Sequence, residues 1–123
     1  MNRIPKISVY MPNYNYSEFI DQAIKSVISQ NCDNWELIII QDGNIDRSDK
    51  IIKKFAKTYP DKIRIFRNKV RKGLQYCANL ALKKSKGKYI IRLDPDDYLD
   101  ESALLLMSTL LDQKKSVNLI YPD

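Results

Sequence analysis

Residues 35–46 carry the clearest indication of the fold, and they read Trp35-Glu36-Leu37-Ile38-Ile39-Ile40-Gln41-Asp42-Gly43-Asn44-Ile45-Asp46. The first six residues are almost all apolar, which is typical of a strand that is buried on both faces in a parallel sheet. A carboxylate and a glycine follow directly and indicate a turn. The stretch therefore predicts a buried strand of an α/β domain that ends in polar side chains.

The segments on both sides of this strand alternate between strands and helices. Apolar periodicity predicts strands over residues 7–11, 35–40, 63–66, 89–93 and 117–121, and helices over residues 19–30, 51–59, 74–82 and 101–113. Such an alternation predicts an α/β fold with a mostly parallel sheet and right-handed crossovers. No repeat or linker interrupts it, so we expect residues 1–123 to form a single domain.

Several residues predict where these elements begin and end. Pro12 closes the first strand, and Asn15 and Glu18 have the spacing of a capping box at the start of the first helix. Asp46 is expected to cap the second helix. Gly87 is expected to adopt the left-handed conformation that ends the third helix.

The composition limits the class of protein. The 123 residues include 21 Lys and Arg, 15 Asp and Glu and no His, with a net charge of +6 and 44% hydrophobic residues. These values are typical of a globular domain with its own core. The lack of histidine excludes histidine-based catalysis, and Cys32 and Cys77 do not have a metal-binding spacing. Because the sequence shows neither a signal segment nor a long apolar run, we expect a cytoplasmic protein.

The charges are unevenly distributed along the chain. Residues 62–92 contain eleven basic residues and no acidic one, whereas residues 94–101 contain five carboxylates. The basic residues follow helix and strand periodicity, so we interpret them as a solvated surface rather than as a nucleic-acid site. A basic rim beside an acidic loop suits a phosphate-bearing ligand that carries a divalent cation.

Three loops are expected to meet at one edge of the sheet. Ligands of open α/β sheets bind outside the carboxyl ends of the strands, near the point where the strand order reverses. This rule selects residues 12–15, 41–44 and 94–97, which follow the first, second and fourth strands. Since all three loops are polar, the sequence predicts a site for a polar ligand there.

The third of these loops, Asp94-Pro95-Asp96-Asp97, carries three carboxylates in four positions. A divalent cation relieves their mutual repulsion, and such hard oxygen ligands suit Mn²⁺ or Mg²⁺. Taken alone, an Asp-rich turn with Pro95 at its second position explains the pattern equally well. The expected position at the sheet edge favours the cation site.

Other residues near this edge have two interpretations each. Asp42 could accept hydrogen bonds from a base or a ribose, or could form only an Asx turn. Tyr14 could stack on a base or could pack within the protein. Arg71 and Lys72 precede the third helix, where they could be surface charges or could bind a phosphate at its amino end.

Taken together, these stretches resemble the inverting nucleotide-sugar glycosyltransferases of family 2, which have the GT-A fold. The matching stretches are residues 7–15, 26–30, 35–46 and 87–97, so the resemblance extends from residue 7 to residue 97 of the chain. The resemblance implies a Rossmann-like GT-A nucleotide-binding core. It also implies a glycosyltransferase whose donor is a nucleotide-diphosphate sugar, usually a UDP-sugar.

The resemblance further implies roles for single residues. Pro12, Tyr14 and Asp42 would line the nucleoside pocket, and Asp94 and Asp96 would form the Asp-x-Asp motif that contacts ribose and metal. Mn²⁺ or Mg²⁺ would bridge the diphosphate. The residues predicted to bind the nucleotide are thus Pro12, Tyr14, Asp42, Arg71, Lys72 and Asp94, and those predicted to bind the metal are Asp96 and Asp94. The acceptor would be a saccharide or a lipid-linked saccharide, and peripheral association with the inner face of the membrane is left open.

Two departures from the family pattern matter. The family's Asp-Asp-Gly-Ser is Gln41-Asp42-Gly43-Asn44 here, which bears on the contacts of that loop and on the nucleotide preference. The chain also stops at residue 123, before the acceptor-binding half and the catalytic base that the resemblance implies. We therefore expect an N-terminal portion of a longer glycosyltransferase, which binds its donor without transferring the sugar.

Two other classes of protein share the alternation of elements. A flavodoxin-like or receiver-like binding module does so, but it does not explain the three loops. The other class is an enzyme that transfers a phosphoryl group to an aspartate of the Asp-x-Asp loop. We would expect such a nucleophile after an early strand, whereas this loop follows the fourth strand. The motifs of dinucleotide oxidoreductases, P-loop NTPases and α/β-hydrolases are absent from the sequence.

Overall fold

Strands and helices alternate throughout the computed structural model, which describes residues 4–44, 46–113 and 119–120. The strands are β1 (Ile7–Asn13), β2 (Trp35–Asp42), β3 (Ile63–Asn68), β4 (Tyr89–Arg92) and β5 (Leu119–Ile120). The helices are α1 (Ile20–Ile28), α2 (Ser48–Thr58), α3 (Leu74–Lys84) and α4 (Ala103–Gln113). The predicted order of elements is confirmed. Of the predicted fifth strand, residues 117, 118 and 121 lie outside the described part of the chain.

All five strands are parallel and form one sheet in the order β3-β2-β1-β4-β5. The predicted α/β fold is therefore confirmed. The chain moves outward from β1 through β2 to β3 and then returns to the other side of β1 to form β4. The strand order thus reverses between β1 and β4, which is where ligands of such sheets bind.

The two faces of the sheet are covered unequally. Alternate residues such as Val9, Leu37 and Ile91 pack on one face together with residues of α1, α2 and α4. The residues between them, including Tyr10 and Ile38, pack on the other face, against α3. We call these the three-helix face and the α3 face. Successive side chains of a strand point to opposite faces of the sheet. The face on which a residue at a strand end lies can therefore be determined by counting in steps of two from the core residues of that strand.

A buried carboxylate attaches the carboxyl end of α3 to the α3 face. Glu36 is only 5% exposed, and it accepts hydrogen bonds from Ser8 Oγ at 2.5 Å, Lys86 N at 2.7 Å and Arg64 at 2.7 Å. Arg64 also donates to the carbonyl oxygen of Lys84, the last residue of α3, at 2.5 Å. A cation at this end is favourable for the helix dipole, so one charged network fixes both the strand ends and the helix.

The predicted left-handed cap at Gly87 is wrong. Helix α3 ends at Lys84 with Ser85 as its C-cap, and the glycines with positive φ are Gly43 and Gly73 among the described residues. Gly87 is needed for a different reason, since a Cβ atom there would lie 2.6 Å from Ser8 N and 2.9 Å from the carbonyl carbon of Ile7. The position requires glycine because β1 passes directly against it.

The predicted capping box of the first helix is also wrong. Helix α1 begins at Ile20, and its N-cap residue Phe19 makes no side-chain capping hydrogen bond. Asn15 has a left-handed φ of 59°, and its backbone N–H donates to Asn44 Oδ1 at 2.6 Å. The residue is thus used in a contact between two loops, which removes it from the helix start.

Strand β1 continues through Pro12 to Asn13, so the prediction that Pro12 closes it is wrong. The pairing of β1 with β4, however, ends before Pro12, with Tyr10 and Arg92 as its last pair. Leu93 N donates to Tyr10 O at 3.0 Å, and because amides alternate between the two neighbouring strands, the next one facing β4 would be that of Pro12. Proline has no N–H to donate. Pairing with β2 continues as far as Asn13 and Gln41.

Both cysteines are free: Cys77 is buried and Cys32 is partly buried. None of the helices in the described ranges combines the length and the apolar character that crossing a bilayer requires.

We predict that Gly87→Ala lowers the free energy of unfolding by about 1–3 kcal/mol, because the added methyl group overlaps backbone that cannot move freely. Urea denaturation measures this change. Lys86→Ala is the matched control, since it removes an exposed side chain and keeps the amide that Glu36 binds. Equal stability of the two variants would contradict the close approach.

Candidate functional site

A cleft of about 200 Å³ lies at the carboxyl ends of β1, β2 and β4, beside the amino end of α3. Its lining residues are Pro12, Asn13, Tyr14, Tyr16, Asp42, Arg71, Leu74, Arg92, Asp94, Pro95 and Asp96. Six of the seven predicted site residues are among them: Pro12, Tyr14, Asp42, Arg71, Asp94 and Asp96. The seventh, Lys72, is not. The structure thus brings residues from distant parts of the chain to the point where the strand order reverses.

The alternation of the strands explains which residues reach the cleft. Pro12, Asp42 and Arg92 continue the parity of Tyr10, Ile40 and Ile90, which pack on the α3 face. Helix α3 begins only at Leu74. The last residue of each strand on the α3 face therefore lies beyond the apolar cluster that the helix covers. The cleft is the space left at that end.

Asp42 is 4% exposed and connects β2 to the segment before α3. Its Oδ1 accepts hydrogen bonds from Asn68 Nδ2 at 2.9 Å and Lys72 N at 2.8 Å, and its Oδ2 accepts one from Gly73 N at 3.0 Å. Burial by itself raises the pKa of a carboxylate, but these hydrogen bonds hold the pKa of Asp42 below its ordinary value. The carboxylate is therefore an internal anion at the start of α3.

This arrangement answers one question that the sequence left open. A phosphate site at the amino end of α3 was one interpretation of Arg71 and Lys72, but the backbone amides of Lys72 and Gly73 donate to Asp42. The Cys77 thiol lies near the Asp42 carboxylate. Burial, followed by the charge of Asp42, raises the pKa of Cys77 to about 12, so the thiol stays protonated.

Gly43 lets the segment before α3 approach the end of β2 closely. It has a φ of +78°, and a Cβ atom there would lie 2.5 Å from Arg71 N and 2.9 Å from the carbonyl carbon of Val70. Asp42 binds the segment through hydrogen bonds and Gly43 provides the space for it. The Asp-Gly pair therefore places Arg71 at the cleft.

Arg71 and Tyr14 form one side of the cleft. The guanidinium carbon of Arg71 lies 4.1 Å from the centroid of the Tyr14 ring, which is a close cation–π contact. The Lys72 ammonium instead lies 5.9 Å from the ring centroid of Tyr76 on α3. Lys72 thus contributes its backbone to Asp42, and the role of its side chain stays a prediction.

Residues 94–97 form what we call the acidic turn. Asp97 N donates to Asp94 O at 2.9 Å, as expected for a turn with Pro95 at its second position. Carboxylate oxygens of Asp94, Asp96 and Asp97 lie within 4.8 Å of one another. Two oxygens on opposite sides of Mg²⁺ lie about 4.2 Å apart. A small side-chain rotation would therefore bring these hard donors into a suitable set, and they fit a divalent cation.

Arg92 is the cation nearest to the acidic turn in sequence. Its Nε donates to Asp94 Oδ1 at 2.7 Å, and the two side chains are 28% and 39% exposed. Neither Arg92 nor Asn68, which binds Asp42, was predicted from the sequence. Both are the last residues of their strands. Asn68 follows the predicted third strand, so the rule for strand ends could have found it, whereas Arg92 lies inside the predicted fourth strand.

Gln41, where the family pattern has a carboxylate, lies on the three-helix face. It is 3% exposed; its Oε1 accepts from Asn13 Nδ2 at 2.8 Å and Asn44 Nδ2 at 2.5 Å, and its Nε2 donates to Asp49 at 3.3 Å. It is not among the residues that line the cleft. The substitution of Gln41 for a carboxylate thus changes the support of two loops rather than the cleft surface.

The prediction that Asp46 is the N-cap of α2 is wrong by one residue, because α2 begins at Ser48 with Arg47 as its N-cap. Asp46 precedes the N-cap, and its Oδ1 accepts a hydrogen bond from the first amide of the helix, Ser48 N, at 3.0 Å. Its Oδ2 also accepts from Ser17 N at 2.9 Å, which ties the loop after β1 to the loop after β2. Burial raises the pKa of a carboxyl group, but the hydrogen bonds from Ser48 and Ser17 hold the pKa of Asp46 below its ordinary value.

The model of the protein family described as Glycosyl transferase family 2 matches residues 8–121. A similar curated protein is EpsE of Bacillus subtilis (strain 168), whose naming as a glycosyltransferase is provisional. It is 40% identical over 97 residues, and the match covers 79% of this chain and 35% of EpsE.

Two solved structures are similar in fold. S. aureus TarS 1–349 in complex with UDP has a TM-score of 0.79 at 23% identity, covering 88% of this chain and 32% of that one. The mannosyltransferase PcManGT from Pyrobaculum calidifontis, in complex with GDP-Man and Mn²⁺, has a TM-score of 0.81 at 20% identity, covering 89% and 33%. The predicted GT-A fold is confirmed. The chain spans about a third of the length of EpsE and of each solved chain.

We predict that Asp42→Asn lowers the free energy of unfolding by about 3 kcal/mol at pH 7, because donors that bind a charged acceptor lose it. The folded pKa of Asp42 lies below the unfolded value of about 3.9. Its contribution is therefore complete above that value and is lost as the pH falls through the folded pKa.

Urea denaturation at pH 7 and near pH 3 measures both variants. The difference between wild type and Asp42→Asn should shrink at the lower pH, whereas the exposed Asp61→Asn should have little effect at either pH. A difference that is the same at both pH values would contradict the charged state assigned to Asp42.

Proposed function

This chain belongs to glycosyl transferase family 2, and we propose that its cleft binds the nucleoside diphosphate portion of a sugar donor together with a divalent cation. The observation that carries the proposal is the convergence of six predicted residues on one cleft of about 200 Å³. They come from the ends of three strands and from the segment before α3. This is the position at which open α/β sheets bind nucleotides.

The nucleoside would bind at the side formed by Tyr14 and Arg71. The base would stack on the Tyr14 ring, and Arg71 would cover the base or move toward the phosphates, since its guanidinium now lies over that ring. Pro12 would line the pocket from the end of β1. Asp42 would act chiefly by holding the segment that carries Arg71, because several protein donors already bind its carboxylate. Lys72 would add positive charge beside the phosphates.

The cation would be held by Asp94 and Asp96, with Asp97 as a third ligand, and would be Mn²⁺ or Mg²⁺. A bound cation of this kind neutralises the charge on a departing diphosphate. Asp96 and Asp97 are exposed, so they can rotate toward the ligand without disturbing the core. Oδ1 of Asp94 accepts a hydrogen bond from Arg92, and Oδ2 of Asp94 would bind the cation.

We propose a UDP-sugar as the donor. TarS has been solved with UDP and with UDP-GlcNAc, and PcManGT with GDP-Man and Mn²⁺, which supports a nucleotide sugar and a divalent cation for this cleft. Gln41 does not argue against uridine, because its side chain lies on the three-helix face.

The activity that this site would serve is transfer of the sugar to an acceptor hydroxyl, on a saccharide or a lipid-linked saccharide. A base would deprotonate that hydroxyl for attack on the anomeric carbon, on the side opposite the leaving diphosphate. The predicted residues of the cleft would all act on the donor side of this reaction.

The other classes of function are less well supported. Flavodoxin-like and receiver-like modules have the strand order 2-1-3-4-5, whereas this sheet has the order β3-β2-β1-β4-β5. A phosphotransferase would need a nucleophilic aspartate after an early strand, and the acidic turn follows β4.

We predict that UDP with Mn²⁺ stabilises the folded protein by about 2.7 kcal/mol at a UDP concentration near 100 times its dissociation constant. Thermal unfolding with UDP, GDP, CDP and FMN, each with and without Mn²⁺, measures the effect. UDP should give the largest shift, and only with the cation. Equal shifts with and without Mn²⁺ would contradict the role of the acidic turn, and a shift with FMN alone would favour a flavin-binding module.

Asp96→Asn should reduce the Mn²⁺-dependent part of this stabilisation by at least half, because it removes one of the charged ligands. Asp100→Asn is the matched control: it is also exposed and close in sequence, but it is not in the carboxylate group of the acidic turn. If both variants behaved alike, general negative charge rather than a defined site would bind the cation.

A further inference from the structure

Arg92 is a positive charge inside a cleft that also contains the acidic turn. It ends β4 on the α3 face, lines the cleft together with Asp94 and Asp96, and binds Asp94 through Nε at 2.7 Å. The pair joins residues two apart at a strand end, and both side chains are partly exposed. A pair of this kind contributes little to folding stability. Its position in the cleft therefore calls for another explanation.

We propose that Arg92 balances the charge of Asp94 in the free protein and, when the donor binds, donates hydrogen bonds to the diphosphate of that donor. The inference rests on the proposed function, since it assumes a nucleoside diphosphate in the cleft. It assigns to Arg92 a binding role that is separate from those of the predicted residues.

The guanidinium group suits both partners. It carries five N–H donors in a planar fork, and its Nε donates to Asp94 Oδ1. The fork matches phosphate oxygens as well as carboxylate oxygens. Arg92 can therefore turn toward a diphosphate beside the acidic turn while it stays on the end of β4.

The charges of the site predict opposite effects on two ligands. Asp94, Asp96 and Asp97 attract a bare divalent cation, whereas Arg92 repels it and competes with it for Asp94. An incoming diphosphate is attracted by Arg92 and by the cation alike. Arg92 would thus weaken binding of the cation alone and strengthen binding of the cation together with the nucleotide.

The experiment measures Mn²⁺ binding in the absence of nucleotide and UDP binding in the presence of saturating Mn²⁺, both by isothermal titration calorimetry. In Arg92→Gln we expect Mn²⁺ alone to bind about five- to tenfold more tightly, because one like charge is removed. We expect UDP to bind at least tenfold more weakly, because charge-assisted hydrogen bonds are lost.

Two further variants separate this role from a merely structural one. Arg92→Lys keeps the charge, so Mn²⁺ alone should bind within about twofold of wild type while UDP regains part of its affinity. Lys57→Gln removes the same charge from an exposed position on α2 and should change neither affinity by more than about twofold. Urea denaturation checks that each variant is folded.

Only opposite changes in the two affinities support the inference. If Arg92→Gln weakened Mn²⁺ and UDP together, Arg92 would only hold Asp94 in place, and the inference would be overturned. Unchanged UDP binding would also overturn it. Failure of wild type to bind any nucleoside diphosphate with Mn²⁺ would instead reject the proposed function itself, and the inference with it.

Discussion

The carboxylate of Asp42 holds the α3 side of the molecule together. Helix α3 is the helix that packs on that face among the described residues, and the apolar cluster under it is small. Hydrogen bonds from the segment 72–73 and from Asn68 bind Asp42 at the amino end of the helix. Arg64 and Glu36 fix the carboxyl end. The negative charge lies at the amino end and the positive charge at the carboxyl end, which is the favourable orientation for the helix dipole.

This attachment also creates the cleft. Because Asp42 and Gly43 hold the segment before α3 close to β2, the guanidinium of Arg71 lies over the Tyr14 ring. Pro12 contributes from the other side, since it cannot extend the ladder between β1 and β4. The interactions that fix the helix and those that shape the cleft are therefore the same, so substitution of a residue such as Asp42 would affect stability and the proposed binding together.

The charges of the site are arranged by exposure. Asp42 is buried, and several donors compensate its charge, because an uncompensated buried charge is costly. The carboxylates of the acidic turn are partly or fully exposed, so water compensates their charge, and Arg92 does so at Asp94. Fixed structure is thus built from the buried carboxylates, and the solvated ones remain available for a ligand.

Sequence patterns alone were sufficient to predict the order of elements, the parallel sheet and the edge at which the polar loops meet, because periodicity and the rule for strand ends are local properties. They did not predict that Asp42 binds donors 26 to 31 residues away, that Gln41 faces away from the cleft, or that Gly87 is needed against Ser8. Nor did they predict that Asn15 binds Asn44 and is thereby removed from the helix start. The cause is the same in each case. These residues make hydrogen bonds or close steric contacts with partners that only the folded sheet brings near.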